Sequence, residues 1–314
     1  DQLDEKWVER TTENEKKYFK KKWRGFLGNT YLKEIEWGNK VYLKNPGINI
    51  LSQSFGKVRS DKPLVSSIVP CFDRKKMLGV TIQSLIKQDY SNQEIVFVDD
   101  GSTEILEPFI RKNLKFFKGG WKIIRIDYNS GPGIARKIGM QNCNGKYIQF
   151  IDSDDQPLPD KISKQVNVLE KNKKLLMTYG TTIVGKNETD MRILGKTNQK
   201  KKRIAPLFPY QVYWTTSSIL WRKAYISDES WYPLYGSEDT LFEFLNGQLN
   251  YPIVHTFSDK PLLKKWLHPK NISAEIASDF LYQMEILKCF DIIYKKSKYN
   301  EKDPQLEAIG ELYR

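Results

Sequence analysis

Beyond Leu64 the chain alternates short apolar runs with stretches of helical periodicity. The runs Leu64–Val69, Glu94–Val98, Trp121–Ile126 and Lys146–Ile151 are rich in Ile and Val and predict strands. Between them the segments near 74–88, 103–117 and 132–143 carry a helical pattern. Such alternation predicts an α/β fold of βαβ units, with a mostly parallel central sheet flanked by helices. Ligands of doubly wound sheets collect at the carboxyl ends of the strands, so the polar residues just after each run are the ones to read for chemistry. Further on, a helix over about 159–173 leads to a strand-like run, Leu176–Val184. The basic, glycine-poor stretch Lys186–Arg203 lacks apolar periodicity and reads as a loop, a plausible lid over a site below it. Trp214–Trp221, a short helix near 238–247, two more strand candidates and a long helix near 274–296 complete the pattern.

The first 60 residues differ in texture. Acids come early (Asp1, Asp4, Glu5, Glu9) and bases late (Lys16, Lys17, Lys20, Arg24), which complements a helix dipole over 1–24. Its apolar stripe is sparse and suits docking on its own domain or on a sister subunit better than lying on a membrane. Residues 29–60, with the turn Asn45-Pro46-Gly47, read as a connector with short strands. Three segments follow: an N-terminal extension over 1–60, an α/β domain over 61–275 and a C-terminal helical extension over 276–314. The Trp, Tyr and Leu residues of both extensions need a surface to cover them, which points to self-association or to a neighbouring domain.

A chain of 314 residues with 39% hydrophobic content can bury a substantial core. The 51 Lys and Arg against 38 Asp and Glu leave a net charge of +13, which attracts anions. Zinc-finger spacing and RNA-recognition signatures are missing and the longest basic run, Lys200–Arg203, is short, so nucleic acid is set aside as a partner. Three widely spaced cysteines argue against a disulfide framework and for a reducing, cytoplasmic setting, with the inner membrane face as the nearest attachment point. No run of 18 apolar residues occurs, so no transmembrane segment is expected. A start at Asp1 without Met fits a piece of a longer polypeptide.

Strand ends carry the chemistry. Val69-Pro70-Cys71-Phe72-Asp73, Val98-Asp99-Asp100-Gly101-Ser102 and Ile151-Asp152-Ser153-Asp154-Asp155 crowd carboxylates onto one rim, where they repel unless a cation or donor lies between them. In Asp152-Ser153-Asp154 a spacing of two can turn both carboxylates to one side, as hard Mg²⁺ or Mn²⁺ prefers; capping of the helix near 159 is the plainer role. Asp99 and Asp100 can accept from a base or ribose, or form an ordinary turn. Gly131-Pro132-Gly133 resembles part of a dinucleotide fingerprint, but its third glycine is missing and it follows the third strand. Arg136, in the first turns of that helix, is better suited to grip a diphosphate. Glu238 and Asp239 open an apolar helix behind Ser237, either as dipole-complementing acids or as a place for a general base. His255 lies in an apolar run and reads as packing. His268 either completes a metal site or touches phosphate, or is simply a turn residue.

Taken in order, Ser66–Phe72, Ser84–Gln88, Glu94–Ser102, Asn129–Arg136, Ile151–Asp155 and Ser237–Asp239 strongly resemble the non-processive family 2 glycosyltransferases of the GT-A fold, over about residues 64–275. The resemblance implies that Pro70, Phe72 and Asp100 hold base and ribose with Asp99 nearby, that Arg136 contacts diphosphate or ribose, and that Ser153 lies in the nucleotide-sugar site. It matches Asp152 and Asp154 to the DxD motif, with Asp154 binding Mn²⁺ or Mg²⁺ and Asp152 beside it; His268, read from its polar turn, is the further candidate ligand. Asp239 matches the catalytic base of inverting members, supported by Glu238. The implied partners are a nucleotide-sugar donor, a UDP-sugar, and a glycan or glycoprotein acceptor. Asp73 stands where Asn is common and Lys137 where Asn is usual, and both bear on donor details. The Gln-x-x-Arg-Trp signature of processive synthases is absent. A nucleotidyltransferase of related fold would carry a glycine-rich loop where this chain has Pro70–Arg74, and a non-catalytic assembly module would not need Asp152, Asp154 and Asp239 intact.

Overall fold

The computed structural model describes residues 46–56 and 61–268 apart from 196, 201–212, 235, 248–250, together with Cys289 and Ile292. These fall almost wholly in one compact unit, Gly47–Arg314. The helix expected over 1–24, most of the connector, the bulk of the helix near 274–296 and the association of the two extensions lie outside the described residues.

An eight-stranded sheet forms the centre. Its strands are β1 (Ile48–Ser54), β2 (Val65–Cys71), β3 (Gln93–Asp100), β4 (Gly120–Ile126), β5 (Tyr147–Phe150), β7 (Met177–Tyr179), β10 (Ile219–Arg222) and β11 (Ile253–His255), in the order β1-β4-β3-β2-β5-β10-β7-β11. The pairs β4–β3, β3–β2, β2–β5 and β7–β11 run parallel, whereas β1–β4, β5–β10 and β10–β7 are antiparallel. Around this sheet lie α1 (Lys75–Ile86), α2 (Glu107–Asn113), α3 (Pro132–Gln141), α4 (Lys161–Lys171) and α5 (Glu238–Gly247). The inner strands are buried on both faces, which explains why β2 and β3 show no alternation of apolar and exposed polar residues, Ser66 and Ser67 of β2 being themselves buried. One core joins Ile68, Val96, Val98 and Ile124 to Ala135, Ile138 and Trp221; another joins Val69, Ile95 and Phe97 to Leu78, Ile82 and Ile110.

A second sheet of four short strands, in the order β6-β12-β8-β9, brings together β6 (Asp155–Pro157), β8 (Thr182–Gly185), β9 (Arg192–Ile193) and β12 (Leu263–Trp266). The run Leu176–Val184, read as one strand, is two strands split at Gly180, so that β7 and β8 join different sheets. The start of the stretch read as a loop, 186–193, is a hairpin instead: Asp190 accepts from the amides of Lys186 and Asn187, and β9 pairs with β8. No hydrophobic period marks so short a strand, because side chains of the Asx-type turn, not burial, hold it. Among the described residues no helix is long and apolar enough to cross a membrane.

Candidate active site

The parallel strands β2, β3 and β5 end on one rim, and each delivers its polar residues there. At the end of β3 the two acids face different ways. Asp99 is fully buried and accepts from the Ser102 amide at 3.0 Å and from Arg125 Nη1 at 2.6 Å. Asp100 reaches across to the start of α3, where its two oxygens accept from the amides of Ser130 (2.8 Å) and Gly131 (2.9 Å). Burial pushes its carboxyl up to about 7, against the pull of those two amides. The Gly-x-Gly segment thus serves the protein's own carboxylate. Gly131 takes φ 88°, and a Cβ on Gly133 would stand 2.6 Å from the Tyr232 carbonyl, so both glycines allow α3 to pack where it does.

Arg136, one turn further along α3, is the hub of the rim. Its Nη2 donates to Asp152 Oδ1 at 2.7 Å and its Nη1 to Glu238 Oε1 at 2.6 Å, with the guanidinium 5.2 Å from the Trp231 ring centre. Burial opposes its charge, but the two carboxylates more than offset that and raise its pKa. Asp152 also receives Lys265 Nζ at 3.5 Å, and Lys265 reaches Asp155 at 3.3 Å. Burial alone would raise the Asp152 carboxyl; Arg136 and Lys265 hold it well below the usual range. Asp155, 1% exposed, is driven upward by burial, only partly countered by Lys265. Glu238 is raised to about 7 by burial and by neighbouring Asp239, despite its Arg136 partner.

Asp154 has partners of its own. Its Oδ2 lies 2.6 Å from Arg74 Nη1 and 3.0 Å from His268 Nε2, which brings together two expected residues 114 positions apart. Asp239, partly exposed, accepts from Thr216 Oγ1 at 2.8 Å and from the Thr240 amide at 2.7 Å. Ser237 sits at φ 59°, in the left-handed region, and its carbonyl accepts from the Leu241 amide at 3.0 Å as the chain turns into α5. Glu243, one turn on from Asp239, accepts from the Trp214 indole at 2.6 Å, and burial raises it to about 8.

Pro70 and Phe72 lie at the end of β2, Phe72 exposed; Ser153 is buried in the turn after β5. Arg74 and Lys265 carried no sequence signal of their own: one stands beside the β2 motif, the other beside His268, and only the fold turns them toward the acids. Thr216 and Ser217, whose hydroxyls meet Asp239 and the Asp152 amide, were equally silent.

The model of the family described as glycosyl transferase family 2 matches residues 66–227, just over half of the chain. An uncharacterised glycosyltransferase of Haemophilus influenzae is 38% identical over 122 residues, which are 38% of this chain and 46% of that protein. The chain therefore spans less than half of this relative, and 15% to 20% of several longer ones. Among solved structures, S. aureus TarS 1-349 in complex with UDP-GlcNAc superposes with a TM-score of 0.61 at 19% identity, over 79% of this chain and 71% of that one. The mannosyltransferase PcManGT of Pyrobaculum calidifontis, in complex with GDP-Man and Mn²⁺, gives 0.55 at 13% identity, over 85% and 72%. These likenesses establish a GT-A fold.

Proposed function

Because this chain belongs to glycosyl transferase family 2, we propose that it moves a sugar from a nucleotide-sugar donor, a UDP-sugar, to a hydroxyl of a glycan or glycoprotein acceptor, with inversion and with Mn²⁺ or Mg²⁺. The observation that carries this reading is Arg136, whose one guanidinium joins Asp152 at the end of β5 to Glu238 at the start of α5. That link gathers the DxD acids and the Glu238-Asp239 pair around one rim, the constellation that donor binding and acceptor activation both need.

In this mechanism Pro70, Phe72 and Asp100 form the base and ribose end of the site. The Asp152-Ser153-Asp154 turn forms the diphosphate end. Asp154 Oδ2 and His268 Nε2, 3.0 Å apart, are a carboxylate oxygen and an imidazole nitrogen, a donor pair that fits Mn²⁺. An ion held by Asp154 and His268 would take its remaining ligands from diphosphate oxygens and water. When bound, the ion supplies positive charge to the departing diphosphate. Asp239, partly exposed and oriented by Thr216, takes the proton of the acceptor hydroxyl. Glu238, buried on Arg136, holds α5 against the rim and keeps Asp239 in place. Cys71, Cys143 and Cys289 are buried and are not joined in a disulfide among the described residues, which supports a reducing, cytoplasmic setting.

Sugar release and transfer measured over a panel of UDP-, GDP- and dTDP-sugars, each with Mn²⁺ and with Mg²⁺, tests the proposal. Turnover of a UDP-sugar is expected; no turnover of any donor with either ion overturns it.

A further inference from the structure

Among the described residues, Arg136, Lys265 and Arg74 serve the acids after β5 and at the start of α5, and two of these cations are each shared between carboxylates: Arg136 between Asp152 and Glu238, Lys265 between Asp152 and Asp155. The third, Arg74, bonds Asp154 Oδ2 at 2.6 Å, and its side chain keeps 19% exposure. The same oxygen receives His268 Nε2 at 3.0 Å.

Arg74 is aimed there by the backbone. Asp73, just before it, takes φ 47°, a left-handed turn that an Asx residue tolerates. The turn is pinned to the end of β3, since the Asp73 amide donates to Ser102 Oγ at 3.1 Å and Asp73 Oδ1 accepts from the amide and hydroxyl of Thr103, both at 2.8 Å. The chain then enters α1 with the Arg74 carbonyl accepting from Leu78 at 3.0 Å. A strained conformation held by three bonds fixes the direction in which the guanidinium leaves the backbone.

A carboxylate oxygen has two lone-pair sites, and on Asp154 Oδ2 the guanidinium and the imidazole use both. A divalent ion joining Asp154 to His268 meets a positive charge already seated on that carboxylate. We infer that Arg74 is a displaceable counter-cation: it neutralises Asp154 in the empty site, competes with the divalent ion for it, and yields when a nucleoside diphosphate offers the guanidinium another anion. Bidentate attraction of guanidinium to phosphate makes that exchange favourable. Metal and nucleotide then bind with positive coupling, each strengthening the other by the same factor. This rests on the reading of Asp154 as a metal ligand.

Calorimetric titration of Mn²⁺ into the protein, with and without saturating UDP, tests it in wild type, Arg74→Gln, Arg74→Lys and Asp154→Asn. Arg74→Gln is expected to bind Mn²⁺ alone at least tenfold more tightly than wild type, and to show a UDP-induced gain smaller by the same factor. Arg74→Lys, which keeps the charge, is expected to stay near wild type, and Arg74→Met takes the place of Arg74→Gln should the latter not fold. If Asp154→Asn abolishes Mn²⁺ binding while Arg74→Gln binds it no better than wild type, the counter-cation role is refuted and the metal reading stands. If Asp154→Asn binds Mn²⁺ as wild type does, the metal reading fails and this inference with it.

Discussion

Arg136 and Glu238 meet at 2.6 Å across 102 positions of sequence, and this buried pair fastens α5 to the end of the central sheet. Arg136 is 4% exposed and Glu238 6%, so neither charge has water to fall back on. Arg136→Ala leaves buried Glu238 without its cation and Asp152 with Lys265 alone, and is expected to destabilise the fold by about 3–5 kcal/mol, the usual cost of breaking a buried pair. Arg136→Lys keeps the charge but loses the rigid fork that aims Nη1 and Nη2 at two acids at once, and is expected to fall between. Urea unfolding of the three proteins checks this, and equal midpoints would show that the pair holds nothing together.

Asp239 is expected to behave as a base. Asp239→Asn keeps one oxygen for the Thr240 amide and turns an NH₂ toward the Thr216 hydroxyl, which can accept from it, but cannot take a proton, so acceptor turnover should fall about 10²–10⁴-fold while UDP-sugar affinity and melting temperature change little. A helix-start role alone gives the opposite result, a lowered melting temperature with turnover largely kept.

For Asp154 the expected loss is of binding. Asp154→Ala should remove the part of UDP affinity that depends on Mn²⁺ and leave the fold intact, because the side chain belongs to the rim and not to the apolar core. Fluorescence or calorimetric titration of UDP with and without Mn²⁺ reads it directly; a UDP affinity insensitive to Mn²⁺ in both proteins counts against the assignment.

Glu243 links stability to pH. Burial raises its carboxyl from 4.5 to about 8, so between those values the folded protein holds a proton that the unfolded chain releases. Its contribution is fully present below about pH 4.5 and is lost as pH rises through about 8. Glu238, raised to about 7, acts in the same direction. Glu243→Gln keeps an acceptor for the Trp214 indole and removes one titrating group, so the fall in urea midpoint from pH 5 to pH 8 should be smaller than in wild type. An unchanged slope would mean that Glu243 is already ionised in the folded protein.

What the sequence by itself determined was whatever repeats locally. The short Ile- and Val-rich runs of β2, β3 and β4 and the periodic helices between them are set by short-range burial, and α5 begins and ends as its pattern predicts, at 238–247. Acids at strand ends were legible for the same reason: a carboxylate just past an apolar run has little to do in a core. The partners of those acids were decided by tertiary structure alone. Nothing local tells Arg74 from any other surface arginine, Lys265 from the rest of a basic stretch, or Thr216 from a loop hydroxyl, because a charge pair is defined by distance in space and not by spacing along the chain. The split at Gly180 and the hairpin after Gly185 were hidden likewise, since very short strands acquire their identity from the sheet they join. Only the packing of α5 against α3 and the ends of β2, β3 and β5 converts separate motifs into one rim, on which Asp154 shares its oxygen between Arg74 and His268.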